Sequence, residues 1–228
     1  MDKMLNPMMK RYQMFAWLGL IIVLIAFISS LSVAGANTVW FSVTKATRET
    51  AAVGTDFVAA NALRHSYTVW VPAFKFLGLG IMLGAITMAL GVIIKTLRDL
   101  GSEVMATWPD KLNPGLPTKP PAAKLFPMIM MMGWIVLIVG LVWAINISGV
   151  ASSYFAHSVA SELNPAQAGS ALLAQLGAIK FAGPWLAALR FTGMTLLFTA
   201  ITVALTVIIR TLQFQEKSLQ RFLDAHSS

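Results

Sequence analysis

Residues Trp70–Lys95 read WVPAFKFLGLGIMLGAITMALGVIIK, and no charge falls between Lys75 and Lys95. A helix over that interval rises about 28 Å, close to the roughly 30 Å of a bilayer's hydrocarbon core. A continuous apolar run without strict alternation is the signal of a membrane-spanning helix rather than of a barrel strand. Three further stretches pass the same test. They place spans at about 14–33, 70–94, 128–149 and 184–209. Composition agrees with lipid as the solvent: of 228 residues, 57% are hydrophobic and only 11% charged, against about a quarter in soluble domains.

The same run exposes an internal duplication. Ile86-Thr87, Ala89-Leu90 and Val92-Ile93-Ile94-Lys95-Thr96-Leu97 recur 115 positions later as Ile201-Thr202, Ala204-Leu205 and Val207-Ile208-Ile209-Arg210-Thr211-Leu212. Lys75-Phe76 with Gly78 matches Arg190-Phe191 with Gly193. The first and third spans align at an offset of 114, where Lys10, Met14, Gly19 and Gly35 meet Lys124, Met128, Gly133 and Gly149. Agreement of two helix pairs within one residue implies a tandem copy of a two-helix hairpin. The expected fold is an all-α integral membrane protein: a first repeat over 1–100, a Pro-rich linker over 101–124, and a second repeat over 125–228 with a helical tail. The copies run in parallel, unlike the inverted repeats of many alternating-access transporters.

Cations orient the scheme. With the N-terminus in the cytoplasm, that side holds eleven of the 17: Lys3, Lys10, Arg11, Lys95, Arg98, Lys111, Lys119, Lys124, Arg210, Lys217 and Arg221. The other side holds Lys45, Arg48, Arg64, Lys75, Lys180 and Arg190. The positive-inside rule then puts both termini and the linker in the cytoplasm of an inner-membrane protein, with 34–69 and 150–183 outside. Lys10 and Arg11 before the first span, and Ala34-Gly35-Ala36 after it, have the outline of a signal peptide. The first span is longer than the apolar core of such a peptide, so an uncleaved signal anchor is expected.

In the outer loops, Asn164 before Pro165 marks a helix start, and a short extracytoplasmic helix through about Leu176 is expected, with Thr55 to Arg64 as its counterpart. Phe57 with Val58, and Leu172 with Leu173, would give these helices apolar patches for the membrane surface or a partner. Six of the ten prolines fall at Pro109, Pro114, Pro117, Pro120, Pro121 and Pro127, and read as an extended spacer. Beyond Ile209, Leu212, Leu219, Phe222 and Leu223 keep an apolar face on a helical tail.

Lys75 and Arg190 are the candidate ligand- or lipid-binding residues, since both repeats keep a cation there. The favoured expectation is that each side chain snorkels to the outer headgroups beside Trp70 and Trp185 as aromatic anchors. The sharper alternative turns both inward to hold an anion, a quinone carbonyl, a lipid phosphate or a partner carboxylate. Small residues at spacings of four, Ala26, Ser30 and Ala34, Gly80 and Gly84, and Gly140, Ala144 and Ser148, mark helix-packing faces.

Chemistry is sparse. With no cysteine, disulfides, thiolate metal sites and iron–sulfur clusters are excluded. Met8, Met9 and Met14 with Met128, Met130, Met131 and Met132 have the softness for Cu(I), but read as ordinary lipid-facing or gap-filling methionines. His65, His157 and His226 lie outside the spans, against a haem held by two histidines at membrane depth. His157 with Glu162 and His65 with Asp56 read as solvated loop residues rather than an external metal site. No catalytic residue, metal or cofactor is expected. The expected partners are the bilayer and either other membrane subunits or further copies of this chain, with no nucleic acid. Three function classes follow: an accessory or scaffolding subunit of a respiratory, photosynthetic or monooxygenase-type complex, a small anion transporter or channel using Lys75 and Arg190, and, last, a membrane redox enzyme subunit.

Overall fold

The computed structural model describes residues 11–108, 120–163 and 170–227. Among them the chain is all-helical, with no strand. Four long helices are α1 (Tyr12–Phe41), α3 (Asp56–Ala106), α4 (Ala122–Phe155) and α6 (Ser170–Ser227), and two single-turn helices are α2 (Lys45–Glu49) and α5 (Val159–Leu163). Each long helix contains a segment long and apolar enough to cross a membrane, and by that measure this is a multi-pass membrane protein.

The helices overrun the apolar segments at both ends. The stretch from Thr55 to Arg64 is not a separate short helix but, from Asp56 onward, the entry of the 51-residue α3, because nothing between Arg64 and Trp70 breaks the backbone ladder. Likewise the described part of the second expected outer helix, 170–176, is the first part of α6. Asn164 and Pro165 lie outside the described residues, as do Met8, Met9, Lys10, Pro109, Pro114 and Pro117. The linker is narrower than the proline count suggests, since α3 runs on to Ala106 and α4 begins at Ala122. Local capping marks the chain between α1 and α3. Thr44 accepts from the Thr47 amide at the start of α2, and Gly54, at φ +88°, makes the turn into α3, whose first turn carries Asp56.

Contacts divide the chain into two units. One comprises Leu18–Gly80 and Trp134–Met194 and holds both short helices. Its core is Ala73, Ala144, Ala182 and Leu186, with Val69, Trp70, Leu141 and Ile147 packed against them. Backbones come close here because side chains are small, the usual solution where lipid gives no hydrophobic drive between helices. A Cβ added at Gly78 would meet Val23 Cγ2 at 2.8 Å, Ile22 Cγ2 at 2.9 Å and the Gly19 carbonyl at 3.0 Å. Gly78 is therefore where α1 docks on α3. The indole of Trp134 on α4 donates to the Gly80 carbonyl at 3.0 Å.

The other unit comprises Met1–Trp17, Ile81–Gly133 and Thr195–Ser228. Ile94 of α3, Phe126 of α4 and Ala204 and Val207 of α6 form its core. The ends of α3 and α6 are tied by Gln215 donating to the Leu97 carbonyl at 2.8 Å and by the stacked rings of Trp108 and Phe222, 4.7 Å apart.

Of the residues assigned to packing faces, Ala26, Gly80, Gly84, Gly140, Ala144 and Ser148 are buried and Ser30 is half-buried. Ala34 is exposed. Val58 and Leu172 are buried within the chain, which leaves Leu173 as the large exposed aliphatic member of the two patches expected in the outer loops.

Candidate functional site

Arg190 is half-buried and turns to a neighbouring helix. Its Nη2 donates to the backbone carbonyl of Val69 on α3 at 3.1 Å, while its buried Nε meets no acceptor. The Val69 carbonyl lies in the helical turn just before Pro72. Pro72 has no N–H for the Thr68 carbonyl and its ring crowds that turn, and Arg190 braces it through the adjoining Val69 carbonyl, which has a second lone pair to offer. Lys75, which stands 115 positions before Arg190, is half-buried and makes no hydrogen bond or ion pair among the described residues. The two anchors differ as well. Trp70 is half-buried and meets Tyr67 and Phe74 edge-on at 5.4 and 5.9 Å, whereas Trp185 is exposed and stands edge-on to Trp143 at 6.4 Å.

A second constellation forms in the same unit, where α2 and α5 lie against each other. Asn61, one of the most enclosed side chains at 1% exposure, donates from Nδ2 to both carboxylate oxygens of Glu162 at 3.1 and 3.2 Å. Tyr154, 2% exposed, donates its hydroxyl to the Glu162 backbone carbonyl at 3.1 Å. Together they fasten α5 to α3 and α4. Burial pushes the Glu162 carboxyl up to about 7, against the opposing pull of the Asn61 hydrogen bond and the Arg64 charge. Burial, helped by Arg64, lowers the His65 ring to about 4, and that ring stacks on Phe155 at 3.6 Å. Arg64 itself, lowered by burial and then by Arg48, contacts the His65 ring at 3.2 Å.

Arg48 and Arg64 converge on one pair of rings. The Arg64 guanidinium sits 4.7 Å from the Trp40 ring and 5.6 Å from Phe41, and that of Arg48 is 5.3 Å from each. Within α2, Lys45 and Glu49 form an ion pair at 3.5 Å.

The pairings weighed for an external metal take other partners: Glu162 goes to Asn61, and the His157 ring lies 2.9 Å from the Ser153 carbonyl of its own helix end. Among the described residues no three His, Asp or Glu side chains gather as a metal would require. The methionines of α4 diverge, Met130 being 1% exposed while Met128, Met131 and Met132 face outward. Asn61, Arg64 and Tyr154 are the functional-looking residues that sequence reasoning passes over. Asn61 and Arg64 stand three apart on α3, on adjoining faces, but nothing in their spacing names Glu162, 101 positions from Asn61, as a partner.

No family model, curated protein or solved structure matches this chain.

Proposed function

We propose that the chain is a non-catalytic accessory or scaffolding subunit of a larger inner-membrane assembly, of respiratory, photosynthetic or monooxygenase type, built from two parallel copies of a helix hairpin with both termini in the cytoplasm. The observation that carries this is apolar surface beyond the reach of lipid tails. From Arg210 to Ser227, α6 continues for roughly 26 Å past its span, and Leu212, Leu219 and Leu223 on that extension are 47%, 51% and 57% exposed. The companion end of α3 leaves Leu100 and Val104 each 52% exposed. Leu212, Leu219 and Leu223, spaced seven and four apart, share one helix face, the spacing by which helices seat on one another. An arm already braced by Gln215 and Trp108, with leucines left outside, has the form of a docking element.

Mild-detergent purification followed by mass spectrometry tests the proposal. Foreign subunits in fixed stoichiometry, lost when Leu212, Leu219 and Leu223 are changed together to Ser, are the expected result. Recovery of the wild-type chain only as copies of itself refutes it.

Lys75 supports a second reading, a small anion path, because a half-buried cation without a described partner is costly unless something visits it. Anion flux in liposomes that is abolished by Lys75→Gln would place this reading first, and flux unaffected by the change would remove it.

A further inference from the structure

We propose that Arg48 and Arg64 together hold a phosphate group at the loop end of α1 and α3, with Trp40 and Phe41 as the platform under both guanidinium groups. The proposal does not depend on the scaffolding reading. Arg48 comes from α2 and Arg64 from the entry of α3, yet their guanidinium carbons stand 5.3 and 4.7 Å from the same indole ring. Two like charges brought this close repel, and neither makes an ion pair among the described residues. Glu49, the acid next to Arg48, is taken by Lys45, and the Glu162 carboxylate is turned to Asn61. The Arg64 Nε, closed off from solvent, finds no acceptor within the chain. Stacking on aromatic faces stabilises each guanidinium while leaving its in-plane donors available at the edge. A group with several acceptor oxygens and negative charge, large enough to reach two forks at once, satisfies such a pair. Phosphate has that geometry.

Depth supplies the second line. Trp40 lies seven residues beyond the first apolar run and Arg64 six residues before the second, which puts both about 10 Å outside the hydrocarbon edge, at headgroup level. A phospholipid headgroup is one source of the phosphate, and a free phosphate in the aqueous layer is the other. Glu162 sets the strength. Its field reaches Arg64, so an ionised carboxylate there weakens anion binding and a protonated one relieves it.

The test uses the full chain in maltoside detergent. Native mass spectrometry counts phospholipid that stays bound, and calorimetry follows titration with inorganic phosphate. Phospholipid retained by the wild type and lost on Arg48→Gln, with inorganic phosphate inert, confirms a lipid site. Inorganic phosphate binding that falls about tenfold in the same variant confirms a site for the free anion. Arg48 sits on the single-turn α2, so its replacement leaves the helices that fold the unit intact; Arg64→Gln provides the second variant and should give the same loss. A further variant strengthens binding rather than removing it: Glu162→Gln should tighten the phosphate group severalfold at pH 8 and change little at pH 5. Retention and affinity unchanged by both arginine variants, or weaker binding in Glu162→Gln at pH 8, overturns the proposal.

Discussion

Replacing Arg190 by Met tests whether this arginine braces the helical turn just before Pro72. Met keeps an unbranched apolar stem but has no donor, so the change removes the 3.1 Å bond to the Val69 carbonyl and little else. A hydrogen bond from a charged donor contributes about 1.5–3 kcal/mol in water-soluble proteins, and membrane double-mutant cycles average about 0.6 with a maximum near 1.7. Val69 stands at the end of its span, where water competes, yet Arg190 is half-buried and its partner carbonyl sits beside a proline. The overlap of the two ranges, lowered by that competition, places the loss at about 1 kcal/mol. In a Pro72→Ala background the residue at 72 regains an N–H for the Thr68 carbonyl, the turn that presents Val69 closes, and bracing that turn from outside matters less. There the Arg190→Met loss should drop to a small fraction of its value, giving a coupling of just under about 1 kcal/mol between positions on different helices. Steric-trap unfolding in bicelles, applied to the four members of the cycle, measures it. Equal losses in the two backgrounds would refute the account, and so would no loss in either.

Glu162 makes the docking of α5 dependent on pH. Its folded value near 7 is raised from 4.5, so the folded state binds the proton more tightly than the unfolded one; the stabilisation is full below pH 4.5 and is lost as pH rises to about 7. After discounting for solvent screening of a partly exposed group, docking should weaken by about 1 kcal/mol between pH 4.5 and 8, read as falling hydrogen-exchange protection at 159–163, and Glu162→Gln should flatten the profile. Gly78→Leu should detach α1 from α3, because even a Cβ there meets Val23 at 2.8 Å; the distance between spin labels placed on exposed positions of α1 and α3, identical in the parent chain and the variant, reports it, and an unchanged distance in the variant would contradict the close approach. Gly140→Ala should change stability by less than about 1 kcal/mol, since its Cβ would stand at an ordinary 3.6 Å from Leu189; a larger loss in thermal unfolding would show that Gly140 is not merely spacious.

How far a sequence reveals a structure depends here on which contacts are local. The four spans follow from run length alone, because lipid forces each backbone polar group to bond within its own segment. Helix ends are another matter. Nothing between Arg64 and Trp70 stops a helix, so α3 starts at Asp56, eight residues before Arg64, and the boundaries on that side are marked by the capping at Thr44 and the turn at Gly54. Spacing of four points to small residues but does not say which of them another helix touches: Gly78, outside the Gly80–Gly84 pair, makes the tightest approach among the described glycines, and Ala34 faces outward. The polar contacts of Asn61, Arg64 and Tyr154 stayed hidden for the same reason, since their partners lie on other elements.

The proposed duplication pairs Lys75 with Arg190, but chemistry is decided by what lies opposite. Arg190 faces the turn just before Pro72, whereas Ala187, 115 positions after Pro72, keeps its N–H. Under the proposed duplication the two helix pairs differ in where the proline stands, and their two cations have different surroundings. One is committed to the backbone of a neighbouring helix, and the other is left half-buried with its charge unanswered among the described residues. On that ground, Lys75 rather than Arg190 is the position at which an anion-path reading stands or falls.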